Sequence, residues 1–226
     1  MVDEERIEPQ TPTVTRDTLR GSALLLASAT ASIALGWGVA AYAVNANNMV
    51  GNPNYDNACV NGGPNGGGTV CRTDNAGWTF YMDSSGEFEL EVEDRQAVNY
   101  AMNSQYDPTD LNFSYDNSPT FSGSAETDLI WQEGAIGTGS DGVTWCDDDS
   151  PAAKYECDQH YVRIRGAGVY STRLTCHEAG HGAGLLHGAS ASPQTSQTDP
   201  DLGCMTTPVG TNSLGSNQVN RINAVY

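Results

Sequence analysis

The chain has 226 residues, of which 28 are acidic and 10 basic, so its formal net charge is −18 at pH 7. So acidic a surface repels phosphate groups and argues against nucleic-acid or anionic-membrane partners. Glycine is abundant without a fixed period, which excludes collagen and coiled-coil classes, and the 38% hydrophobic content is typical of a globular protein.

The first 46 residues have the pattern of an export signal. Arg16 and Arg20 form a basic flank, and residues 21–44 carry no charge. Small residues then supply two candidate cleavage sites, Ala41-Tyr42-Ala43 and Val44-Asn45-Ala46. This order is typical of a cleaved signal. The alternative is an uncleaved membrane anchor, since about 20 apolar residues can span a bilayer, but the many small and polar residues favour cleavage.

Residues 47–226 are therefore predicted to be one domain outside the cytoplasm, secreted or extracellular, with a membrane as partner only if the segment is uncleaved. The domain begins with a Gly- and Asn-rich loop over residues 47–75 and holds all 6 cysteines. An even number of cysteines in an exported domain predicts disulfides. Many pairings are possible, and the nearest-neighbour choice is Cys59–Cys71, Cys146–Cys157 and Cys176–Cys204.

The remaining elements follow from hydrophobic periodicity and turn signals. Strands are predicted over residues 78–82, 111–115, 128–131, 142–145 and 160–165, and helices over residues 92–106 and 171–181. Strand, helix, several strands and a second helix indicate an α+β layout.

The second helix leads into the stretch His-Glu-Ala-Gly-His-Gly-Ala-Gly-Leu-Leu-His. On a helix, His177 and His181 project from one face and can share a metal ion, with Glu178 beside them. Gly184 can adopt a positive φ and turn the chain, which lets His187 return as a third ligand. Three histidines with one open position are typical of catalytic zinc. Because three of the chain's 4 histidines fall here, a helix whose histidines merely form hydrogen bonds is much less favoured.

This motif resembles the signature of the metzincin clan of zinc endopeptidases, which is followed by a methionine turn. Gly203-Cys204-Met205-Thr206-Thr207 looks like that turn, with Met205 as a hydrophobic floor below the metal. The resemblance implies a zincin-like fold: a twisted mixed sheet with a backing helix, an active-site helix and a small C-terminal subdomain. It also implies a sheet edge near Trp145 for an extended protein or peptide substrate, and a Cys176–Cys204 bond that ties the active-site helix to the methionine turn.

Two departures leave the family within the clan unassigned. Gly188 follows the third histidine, where the large families have another residue, and Thr207 stands where some families place a tyrosine after the methionine.

Other metal ligands are weaker candidates. Asp147-Asp148-Asp149 with Asp158 could bind calcium, but the spacing matches no calcium loop and a solvated acidic turn is preferred. His160 lies in an alternating strand and is interpreted as a core or surface residue.

The sequence as a whole predicts a secreted, monomeric, zinc-dependent endopeptidase with Glu178 as general base. Three alternatives stay open: a catalytically silent metzincin-fold binding protein, a membrane-tethered processing protease, and a zinc hydrolase that acts on something other than peptides.

Overall fold

A mostly parallel, six-stranded sheet is the centre of the computed structural model, which describes residues 45–123, 125–150, 153–166 and 171–226. The strands are β1 (Arg72–Thr73), β2 (Thr79–Met82), β3 (Ser114–Tyr115), β4 (Leu129–Gly134), β5 (Gly142–Asp149) and β6 (Glu156–Arg165). The path β1-β6-β4-β2-β3 is parallel throughout. β5 pairs antiparallel with β6 and with no other described strand, so it forms an edge of the sheet.

Three α-helices accompany the sheet. They are α1 (Val92–Ala101), which continues as a π-helical turn (Met102–Tyr106), α2 (Thr172–Gly182) and α3 (Ser216–Asn223). Short 3₁₀ turns cover Gly86–Phe88, Gly188–Ser190 and Pro200–Met205. The hydroxyl of Ser171 accepts a hydrogen bond from the backbone N–H of Leu174 and caps the start of α2.

The helix α2 lies close to the sheet because it carries glycine where the contact is tightest. A Cβ on Gly182 would lie 3.1 Å from Leu129 and 3.2 Å from the Trp78 ring. Trp78 in turn meets the ring of Tyr106 edge-on, at a centroid separation of 5.6 Å. These fully buried side chains belong to the main hydrophobic core, on which α1 and α2 pack together.

The coarse expectation of a mixed sheet with helices is confirmed, and most predicted elements are present. The strand predicted over residues 111–115 is reduced to Ser114–Tyr115, and the helix predicted over residues 92–106 ends as a π-helical turn. The prediction of an acidic turn at Asp147–Asp149 was wrong, because these residues continue β5. Register shifts after Cys146 let the strand continue with Asp147 and Asp148 exposed, and the Cys146–Cys157 bond ties it to β6.

All three nearest-neighbour disulfides are confirmed: Cys59–Cys71, Cys146–Cys157 and Cys176–Cys204. The first two bonds pack together as a buried cluster. Disulfides persist in oxidising compartments, so they fit an exported protein. The export signal itself lies outside the described residues and stays a prediction. Within the described ranges, none of the helices is long and apolar enough to cross a bilayer.

Candidate metal centre

Three imidazoles converge at the C-terminal end of α2. His177 and His181 lie one turn apart on the helix, and Gly184, at φ +89°, turns the chain so that His187 comes back beside them. The Nε2 atom of His187 lies 3.0 Å from that of His177 and 3.2 Å from that of His181. The structure thus brings together the three histidines that the spacing predicted.

Backbone carbonyls orient two of the three rings. The Nδ1 atom of His177 lies 2.7 Å from the Cys204 carbonyl, and that of His181 lies 2.8 Å from the Leu185 carbonyl. A carbonyl only accepts, so each Nδ1 carries the proton and each Nε2 presents a lone pair to the other rings. A cation between the three Nε2 atoms would bind the lone pairs of His177 and His181. Nitrogens bound at 2.0–2.1 Å to one tetrahedral ion stand about 3.3 Å apart, so the residues present fit a zinc ion.

The site favours the neutral form of these rings. Burial lowers the pKa of His177 to about 4 and lowers the pKa of both His181 and His187 below the ordinary value. A neutral imidazole is the form that binds metal ions.

Glu178 lies buried next to the first histidine, and β5 holds its carboxyl group. The Thr144 hydroxyl lies 2.7 Å from Oε2 and 2.9 Å from the backbone carbonyl of Glu178, so its one proton is shared between two acceptors. Burial raises the pKa of Glu178 to about 7, against the opposing effect of the Thr144 hydrogen bond. The Oε1 atom faces Gly142, where a Cβ would lie only 2.6 Å away.

The turn that carries Met205 packs against α2 beside the three histidines. A Cβ on Gly180 would collide with the Met205 sulfur, so glycine on α2 is what allows the methionine to approach. The Cys176–Cys204 bond joins α2 to this turn, and the Cys204 carbonyl is the group that orients His177. The Tyr106 hydroxyl donates to the Cys176 carbonyl at 2.6 Å and so holds the α2 end of this disulfide.

A cleft of about 370 Å³ opens onto the three histidines and Glu178. Its remaining walls are residues 139–144 with Leu174, and residues 207–209 beyond the methionine turn. A second cavity of about 510 Å³ shares Pro208 with it. Its lining is wholly uncharged and comprises Thr198, Pro200, Gly203, Thr206, Pro208, Gly210, Thr211, Ser213 and Gly215.

The outer edge of β5 borders this cleft. In an antiparallel pair, the backbone groups of alternate residues bond to the neighbouring strand. The Arg165 N–H donates to the Asp141 carbonyl, so the backbone of Asp141 faces β6. Gly142 and Thr144 are out of phase with Asp141 and therefore turn their backbone groups outward. No hydrogen bond from the described residues reaches those outward groups. Further along the strand, Gly62 N–H donates to the Cys146 carbonyl at 2.9 Å and closes the edge. Trp145 is buried there, its ring stacked on Tyr161.

The other predicted candidates lie elsewhere. His160 is buried with Nε2 3.3 Å from the Cys71 carbonyl and does not join the three histidines. Asp147–Asp149 and Asp158 are not among the groups of described residues whose ligand atoms converge.

Three residues of the site were missed by the sequence analysis: Gly142, Thr144 and Tyr106. The strand predicted over residues 142–145 places Gly142 and Thr144 on one face, but nothing in the sequence indicates that this face meets the helix of the motif. No protein-family model matches the chain, and no curated protein matches it. The chemistry of the protein is therefore inferred from the geometry of the site.

Proposed function

We propose that the protein is an exported, zinc-dependent endopeptidase of the metzincin type. One observation carries this proposal: three imidazole Nε2 atoms, 3.0 and 3.2 Å apart, converge beside the buried carboxyl group of Glu178 in one open cleft. A structural zinc site is closed by four protein ligands, whereas three ligands and an open cleft are typical of a catalytic one.

His177, His181 and His187 would hold the ion. When bound, zinc supplies Lewis acidity, which lowers the pKa of a water ligand towards ~7 and polarises the scissile carbonyl group. The Cys204 and Leu185 carbonyls keep the Nδ1 protons of the first two rings in place, so their Nε2 lone pairs stay directed at the centre.

Glu178 acts as the proton carrier. Its carboxylate accepts the proton of the attacking water and then donates it to the nitrogen of the leaving amine. Thr144 binds Oε2, which leaves Oε1 for this exchange. Because the side chain is buried, bulk water does not compete for the carboxylate.

The substrate binds as an extended strand. The outward backbone groups of Gly142 and Thr144 offer hydrogen bonds to a peptide that adds to the edge of β5, a common mode of peptide recognition. The uncharged cavity beyond Pro208 accepts an uncharged side chain of that peptide, because a buried charge there would find no ionic partner.

The packing of the Met205 turn against α2 supports the metzincin resemblance. Gly188 and Thr207 are the two departures, and Thr207 lines the cleft. A tyrosine hydroxyl from that position is therefore not part of the proposed mechanism.

The proposal is tested by incubating the purified protein with an unfolded protein substrate, with and without a zinc chelator. We expect internal cleavage that the chelator abolishes and that one equivalent of zinc restores. Cleavage that is insensitive to the chelator would contradict the metal mechanism. One bound zinc per chain without cleavage of any peptide would instead support the binding-protein alternative.

A substitution at Gly142 probes the position of the general base. A methyl group there would lie 2.6 Å from Oε1 and 2.9 Å from Cδ of Glu178, so the carboxyl group must move. We expect Gly142→Ala to lower kcat/KM by about 100-fold, the cost of a misplacement near 1 Å, with zinc content unchanged. Gly137→Ala is the matched control, since its Cβ would meet no atom closer than 3.7 Å. Equal activity of the two variants would show that the carboxyl position does not matter.

A further inference from the structure

The segment that carries His187 receives its support from the start of the described chain. Residues 45–54, here called the N-terminal strap, run antiparallel to residues 184–192. The bridges are Asn47 with Ser192 and Met49 with Leu185. No helix or strand contains His187, because α2 ends at Gly182 and the next 3₁₀ turn begins at Gly188. The strap therefore provides the backbone pairing that regular structure provides elsewhere.

Within the strap, Asn48 binds the residue immediately before the third histidine at two points. Its backbone carbonyl accepts from the N–H of Leu186 at 2.7 Å, and its side-chain amide donates to the carbonyl of Leu186 at 2.9 Å. Asn48 is fully buried, with a relative exposure of 0%. The side chain and the main chain of Asn48 thus bind both backbone polar groups of Leu186, away from water.

A second strap residue fixes the chain on the other side of His187. The amide of Asn52 donates to the Ser190 carbonyl at 3.0 Å and, within the strap, to the Met49 carbonyl at 2.8 Å. The two asparagines therefore hold the backbone before and after the ligand.

His187 differs from the other two ligands in how its ring is held. His177 and His181 each have a carbonyl on Nδ1. Among the hydrogen bonds of the described residues, none reaches Nδ1 of His187. Its position therefore depends on its backbone more than theirs does.

We propose that Asn48 is a positioning residue for the metal centre: by clamping Leu186 it sets where the His187 nitrogen lies relative to the other two. The inference rests on the proposed function in that it takes the three histidines as metal ligands, but it does not require peptidase activity. Outer-shell partners that orient metal ligands change metal affinity by about 10–100-fold when replaced.

The test measures metal binding directly, with Co²⁺ as the probe. Asn48→Asp has the same shape but replaces the donor with an acceptor that faces the Leu186 carbonyl. We expect its Co²⁺ affinity to fall by about 10–100-fold. We also expect its visible spectrum at saturating Co²⁺ to differ from the wild type, because that spectrum reports the geometry of the ligands. Unfolding of the metal-free protein is recorded in parallel.

Gln159→Glu is the matched control. Gln159 is also a fully buried amide that donates to carbonyls, those of Thr120 and Thr127, but it lies away from the three histidines. It should lose stability while keeping the affinity and spectrum of the wild type. If Asn48→Asp does not fold, Asn48→Ala, which removes the donor without adding charge, is measured instead and should bind Co²⁺ at least several-fold more weakly.

The outcomes separate this inference from the proposed function. A wild-type protein that binds no Co²⁺ would refute the metal site itself. Normal binding by the wild type together with an unchanged affinity and spectrum in the Asn48 variant would overturn the positioning role alone. An equal loss of Co²⁺ affinity in Gln159→Glu would also overturn the positioning role, because the effect would then come from a general loss of stability.

Discussion

Replacing Glu178 with Gln is expected to lower kcat/KM on an unfolded protein substrate by about 10²–10⁴-fold, the usual contribution of a general acid–base group. The amide fills the same space beside Gly142 and Thr144 but takes up no proton from water. The fold and one equivalent of bound zinc should be retained, because Glu178 is not one of the three converging ligands.

The control for this variant is Glu126→Gln, which changes a carboxyl group in a different cavity. It should cleave like the wild type. Zinc content and thermal unfolding of both variants are measured beside the kinetics. Activity of the Glu178 variant above about a tenth of wild type would be too high for a lost general base, whose removal costs about 10²-fold or more, and would end the assignment.

The second large effect is expected on stability. Zinc present at about 1,000 times its Kd stabilises the native state by about 4 kcal/mol. For a domain of this size about 1 kcal/mol corresponds to roughly 2–4 °C in Tm, so a chelator should lower Tm by roughly 8–16 °C. In His187→Gln this zinc-dependent difference should largely vanish, because the remaining two imidazoles bind the ion far more weakly.

His160→Gln distinguishes metal binding from the general cost of altering a buried histidine. His160 is buried and bonded to the Cys71 carbonyl, away from the other three. Its replacement should lower Tm with and without zinc by the same amount, so the zinc-dependent difference persists. A zinc-dependent rise in Tm that survives in His187→Gln would show that this residue is not a ligand.

The local part of the site could be predicted from the sequence because it depends on helix geometry. The spacing of His177 and His181 puts them on one face of any α-helix, and a glycine after the helix lets the chain turn. The disulfides were also predictable, since each joins cysteines that are neighbours in the chain. Met205 could be named only through the metzincin resemblance.

The rest depends on contacts between distant segments, which no local pattern encodes. Thr144 reaches Glu178 because β5 lies beside α2, and a strand's alternation does not reveal which helix its face meets. Asp147–Asp149 carry turn-like residues, yet pairing with β6 overrides that local preference. The residues of the strap are Asn-rich and aperiodic, so their sequence indicates a loop although they pair with residues 184–192.

The pairing of Asn48 with Leu186 joins positions 138 residues apart in the chain. Contacts this distant close a large loop, and the entropy of that closure makes them late and slow to form. The strap is synthesised first, and the residues 184–192 with which it pairs come much later in the chain. Until the two segments meet, His187 lacks the backbone pairing that holds it in the structure. The arrangement of the three histidines is therefore expected to be complete only once the whole domain has folded.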